Sequence, residues 1–162
     1  MKQVGRVYLL CGKVASGKTT YARKQVQQGR AILLSLDELH LSIFGSEPTR
    51  EQIDDSYDSC CAYQQNLALK LLNLGIDVYI DWGFWSRAAR VQAKRFFEAQ
   101  GMVVSMIYFS LTDEERLARN RLRNAGSDPH SFKIEEKDVS LFDSYFETPS
   151  PEEYDLVIGA EH

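Results

Sequence analysis

The 162-residue chain is short of several things, and each shortage excludes something. It has only three cysteines, an odd number, at positions 11, 60 and 61. Cys11 falls in an apolar run that reads as a strand, and Cys60-Cys61 on a helical segment. No disulfide framework is expected, and a reducing, cytoplasmic setting is the simplest reading. No run of about 18 apolar residues occurs and no secretory leader pattern opens the sequence, so a soluble protein with no membrane partner is expected. A basic surplus is also missing. The 19 Lys and Arg stand against 23 Asp and Glu, a net charge of −4, which gives no general attraction to nucleic acid while leaving room for a local basic groove. Linkers, internal repeats and low-complexity tracts are absent, which points to a single domain over residues 1–162.

The apolar residues that are present, 44% of the chain, are enough for one real core. They gather in five short runs: RVYLL (6–10), AILLSL (31–36), DVYI (77–80), VVSMIYF (103–109) and DLVIG (155–159). These runs are β-branched, aromatic and mostly continuous, as in strands buried on both faces. Helical segments separate them: Lys18 to Gln28; Arg50 to Leu74; Arg87 to Gln100, capped by Ser86; a helix from Thr112, where Thr112 and Glu115 form a capping box; and Glu135 to Phe146. Ile53, Tyr57, Cys61, Leu67, Leu71 and Leu74 form much of an apolar stripe along the second of these. Strand–helix alternation five times over predicts an α/β fold with a doubly wound, five-stranded parallel sheet and right-handed crossovers.

Between the first strand and first helix stands CGKVASGKTT, residues 11–20. Gly12, four residues, then Gly17-Lys18-Thr19 is the phosphate-binding pattern G-x-x-x-x-G-K-[ST]. The glycines let the backbone turn so that successive N–H groups meet one anion, and the helix N-terminus adds its positive end. Lys18 brings a full charge for the β- and γ-phosphates, and the Thr19 hydroxyl is placed to ligate Mg²⁺. The expected nucleotide contacts are Gly12, Lys13, Val14, Ala15, Ser16, Gly17, Lys18, Thr19 and Thr20, in a P-loop NTPase three-layer sandwich. Ala15 is expected in an ordinary backbone conformation.

Ligands of such sheets bind beyond the carboxyl ends of the strands, so the residues after each run matter most. Asp37 follows the second run and is a candidate general base, or simply the N-cap of a short helix ELHLSIF. Glu38 and His40 are weaker candidates, a lone histidine at a helix start being more often solvated. Asp81 follows the third run, in YIDWGFWSR, and is a candidate for Mg²⁺ or for the acceptor. Trp82, Phe84 and Trp85 crowd the same loop, where they could stack on a ring or cover the sheet end. Arg87 and Arg90, in the first turn of the next helix, sit badly with its dipole and hint at an anionic partner. After the fourth run, Arg116, Arg119 and Arg123 share one helical face, with Arg121 beside them. Arginine suits spread phosphoryl charge. RNAGSDPHSF (123–132) reads as a lid, so a helical lid over about 113–133 is expected.

Taken together, LLCGKVASGKTT, LSLDEL, VYIDWGFWSRAAR and LTDEERLARNRLR resemble the small P-loop kinases related to polynucleotide 5′-hydroxyl kinases and to zeta-toxin and chloramphenicol phosphotransferase-type enzymes. The likeness covers nearly the whole chain. It implies Asp37 as general base, Arg119 and Arg123 as lid arginines on the nucleotide phosphates, and Asp81 as a ligand of the acceptor or metal. Two departures stand out. KVAS replaces the Pro or extra Gly common between the fixed glycines, and no phosphatase-type D-x-D-x-T stretch follows.

The expected activity is an ATP- and Mg²⁺-dependent kinase acting on a hydroxyl. Lys18, Asp37, Arg119 and Arg123 would be catalytic, and Asp37, Asp81, Trp85 and Arg87 would meet the acceptor. The acceptor is expected to be a small molecule. The alternatives are a nucleic-acid 5′ end, or a nucleotide-binding ATPase module with no phosphorylated acceptor.

Overall fold

A computed structural model describes residues 3–126 and 133–159. Five parallel strands form one sheet: β1 (Val7–Gly12), β2 (Ala31–Ser35), β3 (Asp77–Gly83), β4 (Val104–Ser110) and β5 (Leu156–Gly159), in the order β2-β3-β1-β4-β5. The helices among the described residues are α1 (Lys18–Gln28), α2 (Leu36–Phe44), α3 (Arg50–Asn73), α4 (Arg87–Ala99), α5 (Asp113–Ala125) and α6 (Glu136–Ser144). None is long and apolar enough to cross a membrane. β1 lies at the centre with β3 on one side and β4 on the other, and parallel sheets of this kind open a cleft at the carboxyl edge of such a strand.

Side-chain alternation along β1 feeds two cores. Leu9 and Cys11 pack with Ala68 and Leu72 of α3 and Ala93 and Phe97 of α4 on one face. Leu10 packs on the other with Ala22 of α1, Tyr79, Ile107 and Phe109. Strands covered on both faces are continuous apolar runs for this reason.

The expected strands and most caps are present. Ser86 accepts from the Ala89 amide (3.1 Å), and Thr112 and Glu115 close their capping box. The buried stripe of α3 is different from the one expected. It is Cys60, Gln64, Ala68 and Leu72, whereas Leu74 is 60% exposed and Tyr57 is also exposed. Leu67 and Leu71 of the expected stripe still pack on the core, and Gln64 sits in the buried stripe because both halves of its amide find partners, described below.

Arg90 also departs from expectation. It is 2% exposed and its Nε meets Glu153 (3.0 Å), while Nη1 donates to the carbonyls of Phe84 (2.9 Å) and Trp85 (3.3 Å). The anion it pairs with is internal, and its job is to hold the β3–α4 turn. A buried arginine must be paired in this way. Arg90→Met is therefore expected to lower unfolding free energy by about 3–5 kcal/mol, since it strands a largely buried Glu153 and two carbonyls. Urea denaturation followed by circular dichroism checks it; a loss below about 1 kcal/mol would mean the pair is replaceable by water.

Candidate active site

The loop between β1 and α1 is shaped by two left-handed residues, Ala15 (φ 59°) and Gly17 (φ 92°). Ala15 thus departs from the ordinary conformation expected of it. A left-handed alanine costs about 1–2 kcal/mol, which the loop tolerates because such turns face successive N–H groups the same way. Gly12 is required by space: a Cβ there would lie 2.5 Å from Ser16 Oγ and 3.0 Å from the Phe109 Cβ. The first turn of α1 carries no acidic residue and its N-cap, Gly17, makes no side-chain cap. By contrast α2 and α5 are capped and acidic at their starts. The α1 N-terminus is thus left open to an external anion.

Lys18 folds back over this loop, its Nζ donating to the carbonyls of Gly12 (3.1 Å) and Lys13 (2.9 Å) and reaching Ser16 Oγ (3.4 Å). Burial lowers its proton affinity, and the carboxylates of Asp81 and Asp37 act against that. Lys13 itself points elsewhere, 4.0 Å from Asp113 and over the Phe146 ring. Val14, Ala15, Ser16, Gly17, Lys18, Thr19 and Thr20 line a cleft of about 690 Å³.

Thr19 Oγ1 donates to Asp81 Oδ2 at 2.8 Å. This places a hydroxyl and a carboxylate, both hard oxygen donors, where the helix begins, a donor pair that fits Mg²⁺. Beside Asp81, β3 carries one extra residue relative to β1. Leu9 pairs with Ile80 but Cys11 with Gly83, so the bulge falls on Asp81-Trp82. Gly83 (φ 78°) and Phe84 (φ 53°) follow in left-handed conformations. The buried Cys11 thiol donates to the Phe84 carbonyl and burial pushes it up to about 11, so it is no nucleophile.

Asp37 lies in the first turn of α2, but it does not cap it. Ser35 is the N-cap, its Oγ accepting from Glu38 N at 3.2 Å. That leaves the Asp37 carboxylate for the cleft, which it lines. Asp37 is exposed to solvent yet crowded by protein atoms on its inner side. That crowding and the neighbouring Asp81 carboxylate push its carboxyl up toward about 6 against the pull of Lys18 and Arg123, a rise that its solvent access moderates. His40 is 1% exposed rather than solvated. It lines the same cleft, and its Nε2 has no hydrogen-bond partner among the described residues.

Helix α5 sorts its arginines. Arg116 is 1% exposed, bonded through Nη1 to the Val14 carbonyl (3.1 Å) and through its two Nη atoms to Asp113 and Asp143. It is a strut from the phosphate loop to α5 and α6, both Nη atoms taken by partners while its buried Nε has none among the described residues, although it shares a face with Arg119 and Arg123. Those two line the cleft. Arg119 Nη1 would lie 2.9 Å from a Cβ on Gly17, and Arg123 Nη2 donates to Asn120 Oδ1 at 3.0 Å. Asn120 and Asn124 both donate to the Ile134 carbonyl (2.8 and 2.6 Å), pinning the chain where it returns. Residues 127–132 of the expected lid lie outside the described residues.

Trp82 and Trp85 line the cleft, Trp85 packing on Phe142 (ring centroids 5.4 Å apart). Arg87 is exposed and is not among the cleft walls; its backbone N–H donates to Glu147 (3.0 Å). Sequence reasoning missed the opposite wall, built by Arg50, Ile53, Asp54 and Tyr57 of α3. The Thr49 capping box, with Gln52 at N3, was the available signal for where that wall begins.

The strand order and the loop after β1 define a P-loop NTPase fold. The family model described as AAA domain (AAA_33) matches residues 7–149, and the chain belongs to this family. No curated protein matches it. Solved structures with the same fold include the Mycobacterium tuberculosis APS kinase CysC in complex with AMPPNP and APS (16% identity, 98% of this chain and 90% of that one, TM-score 0.67). Chaetomium thermophilum Kti12 in complex with ADP-AlF3 is similar (17% identity, 95% and 88%, TM-score 0.67). So is a chain of the Pnkp1/Rnl/Hen1 RNA repair complex (18% identity, TM-score 0.66), of which the match covers 90% of this chain and 45% of that one. The domain is kinase-like in fold.

Gly17→Ala tests the loop and the arginine together. It forces a left-handed alanine, at about 1–2 kcal/mol, and pushes Arg119 off the loop. Expected are a lower melting temperature and ATP affinity reduced at least about tenfold, the equivalent of ~1.4 kcal/mol, by calorimetry. Unchanged affinity would remove Arg119 from the nucleotide site.

Proposed function

We propose that this protein is a kinase that moves the γ-phosphoryl group of ATP to a hydroxyl of a small, uncharged or cationic molecule. The single observation behind it is the juxtaposition in one cleft of an open phosphate loop with the Asp37 carboxylate, the cap of α2 being taken by Ser35 instead. Crowding by protein and the neighbouring Asp81 carboxylate raise the proton affinity of Asp37. A base with a pKa near the working pH combines availability with proton-accepting strength. A nucleotide switch has no use for such a group facing its phosphate loop. AMPPNP and ADP-AlF3 in the fold neighbours support ATP as the donor.

In this reading residues 12–20 hold the triphosphate, and Lys18 exchanges its loop carbonyls for phosphate oxygens. Asp37 accepts the proton of the attacking hydroxyl. Arg119 and Arg123 offset charge on the transferred group, so catalysis is positioning plus electrostatics. Thr19 and Asp81 would hold Mg²⁺, which when bound supplies neutralising charge to the phosphate oxygens. Residues 113–133 act as the lid, and a cytoplasmic setting suits the three free cysteines.

The acceptor class follows from the charges left in the cleft. Arg50 and Asp54 pair with each other at 3.3 Å. With Lys18, Arg119 and Arg123 given to the triphosphate and Asp81 to Mg²⁺ in this reading, the carboxylate left for an acceptor is Asp37, which favours a neutral or cationic molecule over a polyanion. Ile53, Tyr57 and Trp85 offer apolar surface for a ring. The second reading, a 5′-hydroxyl nucleic-acid end, draws on Trp82 and Trp85, on which a base could stack.

Incubation with γ-labelled ATP and four pools decides between them: neutral hydroxylated metabolites, amine-bearing ones, phosphorylated ones, and 5′-hydroxyl oligonucleotides. Label is expected in the first two and in none with Lys18→Ala. Label confined to the oligonucleotides establishes the second reading, and hydrolysis without any labelled acceptor leaves an ATPase module.

Asp37→Asn should keep ATP affinity while transfer falls about 10²–10⁴-fold, and the parent rate should rise as pH passes about 6. The same group has a stability signature. Its folded pKa is above the ordinary 3.8, so between pH 3.8 and about 6 the folded state binds more protons than the unfolded one. Stability therefore falls as pH rises through that window and stays lower above it. Asp37→Asn is expected to melt higher than the parent at pH 7, with the gain gone below about pH 4. A variant less stable at pH 7 would show that the ionised Asp37 is held by favourable contacts.

A further inference from the structure

We infer that Gln64 is a positioning residue: its side-chain amide forms one extra rung between the ends of β2 and β3 and so fixes the spacing of Asp37 and Asp81. The catalytic meaning of that spacing rests on the reading of Asp37 as the base; the geometry does not.

Gln64 sits midway along α3, 4% exposed, in a stripe that is otherwise apolar. Its Nε2 donates to the Ser35 carbonyl at 2.9 Å, and its Oε1 accepts from Trp82 Nε1 at 2.7 Å. Ser35 is the last residue of β2, the cap of α2, and two residues before Asp37. Trp82 directly follows Asp81 and belongs to the bulge. Ser35 and Asp81 are also the last register pair of β2 with β3. Beyond that pair the backbone ladder ends, because β2 turns into a helix and β3 bulges. The Gln64 amide spans the gap.

A neutral side chain that both donates and accepts is required for this, and burying it is costly unless both halves are used. Leucine would leave a carbonyl and an indole N–H without partners. Glutamate, once ionised, could not donate to Ser35.

The groups that act on Asp37 are Asp81 from β3, Lys18 from α1 and Arg123 from α5. If the rung is cut, the β3 end is freed to draw Asp81 away, and the like-charge contribution to Asp37 weakens. The carboxyl of Asp37 should then titrate at lower pH.

The test is carboxyl NMR titration of the full, nucleotide-free chain with ¹³C-labelled aspartate. Four proteins are compared: parent, Gln64→Leu, Trp82→Phe and Gln65→Leu. Trp82→Phe keeps the aromatic packing and removes only the N–H, so it carries the test if Gln64→Leu fails to fold. The Asp37 midpoint should fall by about half a unit in Gln64→Leu and Trp82→Phe, against the 1–3 units that a close full charge produces. Gln65→Leu, one position round the helix, should leave it where it is. An unmoved midpoint in the folded rung variants overturns the inference, as does an equal shift in Gln65→Leu. Failure of the kinase reading shows itself in the labelling assay and leaves this titration unaffected.

Discussion

One extra residue in β3 organises the whole carboxyl edge of the sheet. Between the Leu9–Ile80 and Cys11–Gly83 pairs the strand takes three steps where β1 takes two. The bulge begins at Asp81, whose carboxylate accepts from Thr19. The chain must then recover through two left-handed residues, Gly83 and Phe84, of which only glycine adopts that conformation without cost. Arg90 holds the recovery by taking the Phe84 and Trp85 carbonyls, and Glu153 holds Arg90. A segment near the end of the chain thus supports a carboxylate at its centre. Glu147 contributes in the same way, its N–H donating to the Trp85 carbonyl at 2.7 Å.

The charges around the cleft are divided by burial. Arg90 and Arg116 are enclosed, and each is committed to carboxylates and carbonyls, because an unpaired buried guanidinium is prohibitively costly. Arg119 is exposed at the cleft, and Arg123, half-buried there, donates to Asn120. Lys18 occupies a middle position. Its ammonium rests on the carbonyls of Gly12 and Lys13, neutral partners that bind a cation more weakly than phosphate oxygens do.

How much of this the sequence disclosed follows from the range of the interactions. The central strands β1, β3 and β4 were legible because they are buried on both faces; β5 is exposed at Leu156 and Val157, contrary to the expectation of burial, and was legible from its β-branched run alone. The phosphate loop was legible because its spacing is set by local geometry. Asp37 and Asp81 were legible as residues following strands, since chain direction alone puts them at the ligand edge. Gln64 was invisible: its partners lie 29 and 18 residues away, and a lone glutamine in a helix carries no pattern. Arg116 looked equivalent to Arg119 and Arg123 because periodicity assigns a face, while the difference between strut and ligand depends on Asp143 from another helix. His40 was read as solvated for want of any signal that α2 packs on α3. The left-handed Ala15 was missed because residue identity argues against it, and functional loops are where such exceptions collect.

The cap of α2 shows how the site is kept available. A strand that runs straight into a helix needs a capping oxygen at the junction, and aspartate is among the best. Had Asp37 served, its carboxylate would be tied to a backbone N–H, held charged and weakly basic. Ser35 takes that role instead, a neutral hydroxyl two residues earlier. Asp37 then falls on the first turn, still favoured by the helix dipole but free to be shaped by the cleft. Protein crowding and Asp81 raise its proton affinity, and Lys18 and Arg123 keep the rise moderate.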